Sequence, residues 1–598
     1  MWWISLAVAQ DGTWNLADLY ANEAAWEADL AAVEARLPEL EGCEGQLRKE
    51  LESCLTLRFD LQRQLYRAEI WASLGSDVDT RDDVWRGRNA RANLLDSRFY
   101  EVASFFEPEI LSLGAKKVNK AAARPSMAPY RAYLRNTLTD AAHTLDPERE
   151  SLLASMSPMF MAPGEVYGVF KNAELPWPEL TIRGATVRMD PSAYTLHRAD
   201  SDAGVRTEVF NRFFGALAQF EETLGTNLAA TIQGHWIVAR TRAYPSSVAA
   251  AMDSDHLPPA IYDTLVAETN RQLPILHRYL KLRARMIGIE KPAYSDLYVP
   301  LVTGDRRWTL AEAESLAVVS AAPLGDAYVG ALKQGFAERW MDAYPKPGKT
   351  AGAYMNGAAY DVHPYVLMNF NSDYESVTTL AHEFGHAVHS ALSSKSQPYP
   401  TADYATFIAE IASTGAEALL IDHMLKHAKD DDERLFYLGN ALEGLRTTYF
   451  RQAQLAEFEL KIHQQVEKGE PLTGSGLSAT YLDIVNRYYG VAEGVTRMEP
   501  AWAIEWAYIP HFYYNFYVYQ YATSIAASSL LAERVLAGEA GAQQRYLDLL
   551  RAGGSDDPYI LLNTAGVDMA SPAPYQAIGR RMERLMSEVE TILARRAR

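Results

Sequence analysis

The chain has 598 residues, 48% apolar and 22% charged, with a formal net charge of −19. That length can bury a large core in more than one domain or lobe, and the composition is that of an ordinary globular protein. The acidic balance, with no Lys/Arg run, excludes nucleic acid and anionic membranes as main partners. Two cysteines without a C-x-x-C exclude a disulfide framework or a cysteine zinc site, and no apolar run reaches the roughly 18 residues of a membrane span.

In chain order, Trp2 to Ala9 is apolar and ends in Ala7-Val-Ala9, the small-residue pattern of an export signal. The run is short and no basic residue precedes it. A cytoplasmic location is therefore expected, with export as the alternative if Met1–Ala9 belongs to a signal peptide. From Asn22 the pattern is helical. Trp26, Leu30, Val33 and Leu37 form one apolar stripe that Pro38 is expected to end. Cys54 shares a second stripe with Leu57, Leu61 and Leu65. A Cys43–Cys54 bridge requires the chain to turn between them, and the sequence leaves both states open. Helices continue from about 80 to 160, with a break near Arg124-Pro125. Leu180 to Val187 alternates like a short hairpin around Gly184. A lobe boundary is placed near 200, dividing a helical lobe (1–200) from a catalytic domain (201–598). Helical patterns resume at Arg206–Thr241 and Pro258–Gly288.

Gly352-Ala353-Tyr354-Met-Asn356-Gly357 and Tyr365 to Phe370 read as short strands, with Asn356-Gly357 as a turn. A free strand edge can pair with an extended peptide through main-chain hydrogen bonds, although a small structural sheet has the same pattern. Gly348-Lys349-Thr350 imitates a phosphate-binding loop, but position 343 is alanine and a nucleotide site is rejected.

Next comes Val377-Thr-Thr-Leu380-Ala-His382-Glu383-Phe384-Gly-His386-Ala-Val388-His389. On a helix, His382 and His386 lie one turn apart on one face and can close on one metal ion. Leu380, Phe384 and Val388 lie nearly opposite and can pack into a core. Glu383 follows the first histidine, where its carboxylate reaches a water on the metal rather than the metal itself. Ser372 to Glu375 reads as a capping box that starts the helix. Ser393 to Ala402, with Pro398 and Pro400, reads as a loop that lets a second helix fold back. On that helix Glu410 is the expected third ligand. Glu417, seven residues on and on the same face, is expected to accept the spare N–H of a ligand histidine. His389 is the rival ligand, but three ligands in a row on one straight helix make a poor tetrahedral site.

Helices follow to about 467. Pro510-His511-Phe-Tyr513-Tyr514-Asn-Phe-Tyr517-Val-Tyr519-Gln-Tyr521 is the second unusual stretch. On a helix, His511, Tyr514, Tyr517 and Tyr521 would share about a third of the circumference. Their hydroxyls and imidazole could donate to the oxyanion formed when water attacks a carbonyl. An aromatic core would use the same residues.

Together these residues resemble the M3 family of zinc metallopeptidases, most closely its oligoendopeptidase F branch. The likeness runs from Trp14-Asn-Leu-Ala-Asp-Leu-Tyr20 through Gly352-Ala-Tyr354, His363 to Asn369, Leu380 to His386, Phe407 to Ser413 and His511 to Tyr514, and ends near Ala565 to Asp568. It covers nearly the whole chain. It implies a mainly α, two-lobed ellipsoidal protein with a deep substrate channel and a small β-sheet beside the zinc helix. It implies one Zn2+ per chain on His382, His386 and Glu410, with Glu383 as general base. The family's active-site tyrosines, seven apart, fall on Tyr514 and Tyr521, and an active-site histidine falls on His511. Substrate binding falls on Gly352, Ala353 and Tyr354. Oligopeptides are the implied substrates, and the protein is expected to be a monomer or small homo-oligomer without nucleic-acid or membrane partners. Two other readings remain at this point: a peptide-binding protein with a vestigial metal site, and a zinc carboxypeptidase.

Overall fold

A computed structural model describes residues 12–597 other than 303 and 305. The Trp2–Ala9 stretch lies outside the described residues. The protein is mainly helical, with two small sheets among the described residues. It divides into two compact units. The first takes in the chain up to Ala142, Arg306–His423 and Leu531–Gly566. The second takes in His143–Asp305, Met424–Leu530 and the chain from Val567 on. The boundary expected near 200 falls inside the second unit. The chain leaves one unit for the other five times, because helices are grouped by packing between segments distant in sequence, which a local change of texture does not report.

The first unit begins with the helix Glu23–Glu41, whose Asn22 side chain caps the Ala25 N–H at 3.1 Å. Its predicted stripe of Trp26, Leu30, Val33 and Leu37 is buried. Pro38 does not end it. The helix runs three residues further and buries Leu40 as well. The chain then reverses into the helix Leu47–Val78, and a Cys43–Cys54 disulfide closes the corner across a Cα–Cα distance of 5.9 Å. Both sulfurs lie in the core with Leu47, Leu51 and Leu55.

The hairpin expected around Gly184 is present as β1 (Glu179–Ile182) and β2 (Ala185–Arg188), in the second unit. Arg183 and Gly184 both have positive φ at its tip. The first unit holds a three-stranded sheet of β3 (Met341–Asp342), β4 (Tyr354–Asn356) and β5 (Tyr365–Leu367), in the order β3-β5-β4. β3 is too short to leave a sequence pattern. β4 and β5 pair antiparallel, with Asn356 opposite Tyr365. The link between them spans 357–364 rather than a tight Asn-Gly turn. Gly357 serves a different purpose: a Cβ there would sit 2.6 Å from the Ser390 hydroxyl, so only glycine lets the strand pass the H-E-x-x-H helix this closely.

That helix is Tyr374–Ser396. Its cap is Asp373, which accepts the Ser376 N–H at 2.8 Å, and not Ser372, whose φ of 65° lies in the left-handed region. The helix also runs to Ser396, deeper into the expected loop, before a short 3-10 turn at Tyr399–Thr401 leads to the helix Thr406–His427. The two helices meet at Gly385. A Cβ on Gly385 would lie 2.7 Å from the Ser413 Cα and 2.9 Å from the Ala412 carbonyl oxygen. Leu380, Phe384 and Val388 are buried behind the crossing.

Candidate active site

The backbone contact at Gly385 brings side chains from both helices together. The Glu410 Oε2 lies 3.3 Å from the His382 Nε2 and 3.5 Å from the His386 Nε2. These three residues form a cluster able to hold a metal ion, with ligand atoms within 4.8 Å of one another. Two of the three side chains are fixed from behind. The His382 Nδ1 meets the Glu417 carboxylate at 2.5 Å, which leaves its Nε2 for the cluster. The Ser413 hydroxyl donates to the Glu410 Oε2 at 2.9 Å. Ser413 had no role in the sequence reading, although its place three residues after Glu410 puts it on the same face.

The electrostatics follow from this crowding. Burial pushes the His382 imidazole down, but hydrogen bonds to Glu410 and Glu417 outweigh it and leave His382 well above the ordinary histidine range. Burial pushes the Glu410 carboxyl up, and its bonds to the two histidines reverse this and hold it well below the carboxylate range. Glu383 is buried, and that burial raises its carboxyl above the ordinary value against the pull of His382 and His386.

His389 is placed differently. Its ring is fully buried, stacks 3.6 Å from Tyr404, and has neither nitrogen hydrogen-bonded. Burial lowers it to about 3, so it is neutral.

A cavity of about 780 Å³ opens beside the cluster within the first unit. His382, Glu383, His386 and Glu410 form part of its wall, and Ala353 and Tyr354 of β4 form another part. β4 is an edge of its sheet. The Tyr354 hydroxyl is already committed to Asp77 at 2.5 Å, so its strand faces the cavity with its phenol anchored. Gly352 lies outside that wall. It turns the chain with φ +85° and gives its carbonyl to Asn369 at 2.8 Å.

The second unit gathers His511, Tyr514, Tyr517 and Tyr521. His511 lies 5.8 Å from the Tyr514 ring and 6.1 Å from those of Tyr517 and Tyr521. The expected single helix is absent. A 3-10 turn covers Pro510–Tyr513, Asn515 and Phe516 have positive φ, and the next helix starts at Tyr519. The rings cluster because the chain reverses at this left-handed pair. Burial, then the charge of Lys171, lowers the His511 imidazole, and Tyr514 is 58% exposed.

A helical protein with an H-E-x-x-H helix crossed by an acidic one defines a metallopeptidase. The comparisons make this specific. The model of Peptidase family M3 matches residues 196–580, and that of Oligopeptidase F matches 109–176. The chain belongs to peptidase family M3 and is a metalloendopeptidase. It is 35% identical to Oligopeptidase PepF of Bacillus subtilis over 98% of this chain and 88% of that one. It is 34% identical to an oligoendopeptidase F homolog of Lactococcus lactis over 97% of each. Among solved structures, oligoendopeptidase-F of Enterococcus faecium superposes with a TM-score of 0.71 at 31% identity, covering 95% of this chain and 99% of that one. A protein of Chlamydophila abortus superposes with a TM-score of 0.91 at 33% identity, over 97% and 98%.

Proposed function

We propose that the protein is a zinc-dependent endopeptidase that hydrolyses internal bonds of short oligopeptides, with one Zn2+ held by His382, His386 and Glu410. One observation carries this reading: two imidazole nitrogens and a carboxylate oxygen converge beside the buried Glu383 in the wall of a cavity. Two nitrogens and one oxygen, with room for a further group, suit zinc in a hydrolytic role. When bound, the metal supplies the positive charge that polarises a carbonyl and acidifies water.

The chain's own residues do the rest. Glu383 takes the proton of the attacking water and passes it to the leaving amine; its raised carboxyl favours the first transfer. Glu417 fixes the orientation of His382. The edge of β4, with Ala353 and Tyr354, pairs with the substrate main chain, which gives affinity with little demand on side chains. The resemblance assigns the role of oxyanion donors to Tyr514 and Tyr521, with His511 beside them in the second unit. The names of the relatives, oligopeptidase and oligoendopeptidase, support short peptides as substrates.

The test is metal analysis together with cleavage of an internally quenched oligopeptide blocked at both ends, with and without chelator. One zinc per chain and internal cleavage that the chelator abolishes and zinc restores are expected. No bound metal, or no cleavage of the doubly blocked peptide, would overturn the reading.

A further inference from the structure

Asp403 stands in the same cavity wall as the metal cluster, on the short link between the two site helices. Its carboxylate accepts only the adjacent Tyr404 N–H, at 2.9 Å, and no described cation pairs with it. Asp403 is open to solvent. The wall near it is aromatic. Phe59, Tyr66, Tyr360, Tyr399 and Tyr404 all line the cavity, and the Tyr399 ring lies 6.3 Å from Phe59 and 5.6 Å from Tyr360. No lysine or arginine is among the lining residues. Arg63, near this wall, is committed elsewhere: its Nε donates to Asp361 at 2.7 Å, and its guanidinium covers the Tyr360 ring at 4.9 Å.

Three carboxylates, Glu383, Glu410 and Asp403, therefore face one cavity. Glu410 is engaged by the two histidines, and the mechanism above employs Glu383. Asp403 is left without a task. An unpaired carboxylate beside aromatic faces is the complement of an ammonium or guanidinium group, which gains from both. We infer that Asp403 is a specificity-determining residue that recognises a cationic group of the peptide substrate, either a lysine or arginine side chain or a free N-terminal amine. The inference rests on the cavity being the peptide site.

The test compares wild type with Asp403→Asn on matched quenched peptides. One position at a time on each side of the scissile bond carries Lys, Leu or Glu, and each peptide has a blocked or a free N-terminus. For wild type, Lys at one position, or the free amine, should raise kcat/KM over the neutral peptide. Asp403→Asn should erase that advantage, a loss of roughly two- to fivefold, as expected for one solvated charge pair. Turnover of neutral blocked peptides should be unchanged. A loss confined to lysine peptides identifies a side-chain pocket, and one confined to unblocked peptides identifies an amine site; both support the inference. An equal loss on every peptide, or retention of the basic preference, overturns it. A second arm measures Kd for a fluorescent lysine peptide and its leucine analogue in the Glu383→Gln background, which needs no turnover. If wild type cuts nothing, the peptidase reading fails. The binding arm still decides for Asp403, since equal affinities with and without the carboxylate overturn the inference.

Discussion

Glu459 is the buried acid whose behaviour the structure fixes most sharply. Its side chain has no solvent exposure and accepts the Phe516 N–H at 2.7 Å, while its other oxygen has no partner. It thereby holds the left-handed pair Asn515–Phe516, which gathers the tyrosine cluster. The neighbouring His463 is neutral, lowered to about 3 by burial and then by His235, so no cation compensates a charge on Glu459. Burial, opposed in part by the Phe516 bond, pushes the Glu459 carboxyl up from the ordinary glutamate range to about 8. The folded protein thus binds a proton that the unfolded chain has released. Stability from this group is complete below the unfolded value and is lost as pH rises towards 8. At about 1.4 kcal/mol per pKa unit, the loss from pH 5 to pH 8 is roughly 3 kcal/mol. Glu459→Gln keeps the carbonyl acceptor and removes the titration. Melting curves of wild type and variant should differ little at pH 5. At pH 8 the variant should be ahead by roughly 2–3 °C, given an unfolding entropy scaling with a chain of this size. A difference that stays constant between the two pH values would show that Glu459 is not held protonated.

Four further outcomes are expected. Glu383→Gln should retain zinc and lower kcat by roughly 10²–10⁴-fold; more than a few per cent residual activity would reassign the base. Glu410→Ala should reduce zinc occupancy more than His389→Ala, and metal analysis giving the reverse order would move the third ligand to His389. Tyr521→Phe should lower kcat with little change in KM; an unchanged kcat would return that tyrosine to packing. Gly385→Ala forces a methyl against the Ser413 backbone, so it should destabilise by roughly 1–3 kcal/mol and weaken zinc binding. An unaltered melting temperature together with unaltered zinc affinity would show that the crossing can spread without consequence.

What could be read from the sequence divides along a physical line. His382, Glu383 and His386 are legible because one helix sets their spacing, and helical periodicity is a local property. Glu410 and Glu417 are legible one step less directly. Their spacing puts them on one face, but only the close approach at Gly385 puts that face against the histidines. Gly385 is itself in the motif, so the signal was present, although a lone glycine in a helix does not say which backbone it admits. The tyrosine stretch shows the opposite case. Helical spacing grouped the four rings and the folded chain groups them too, but through a reversal at Asn515 and Phe516, two residues that carry no turn signature as strong as glycine or proline.

The segments that resisted reading depend on partners remote in sequence. β3 is two residues long and exists only because β5 pairs with it. The Tyr354 hydroxyl is taken by Asp77, 277 positions away. The interleaving of the two units is likewise written in which helices bury each other's stripes, and every stripe looks alike. Asp403 belongs with these. Between two prolines and a helix start, an aspartate reads as loop chemistry. It gains a further meaning only when folding puts it on the wall that carries the metal cluster. On the proposed reading, the base and the two histidine ligands rest on short-range pattern, and the choice of substrate rests on long-range packing. Two M3 peptidases could therefore share every ligand and differ in the peptides they accept.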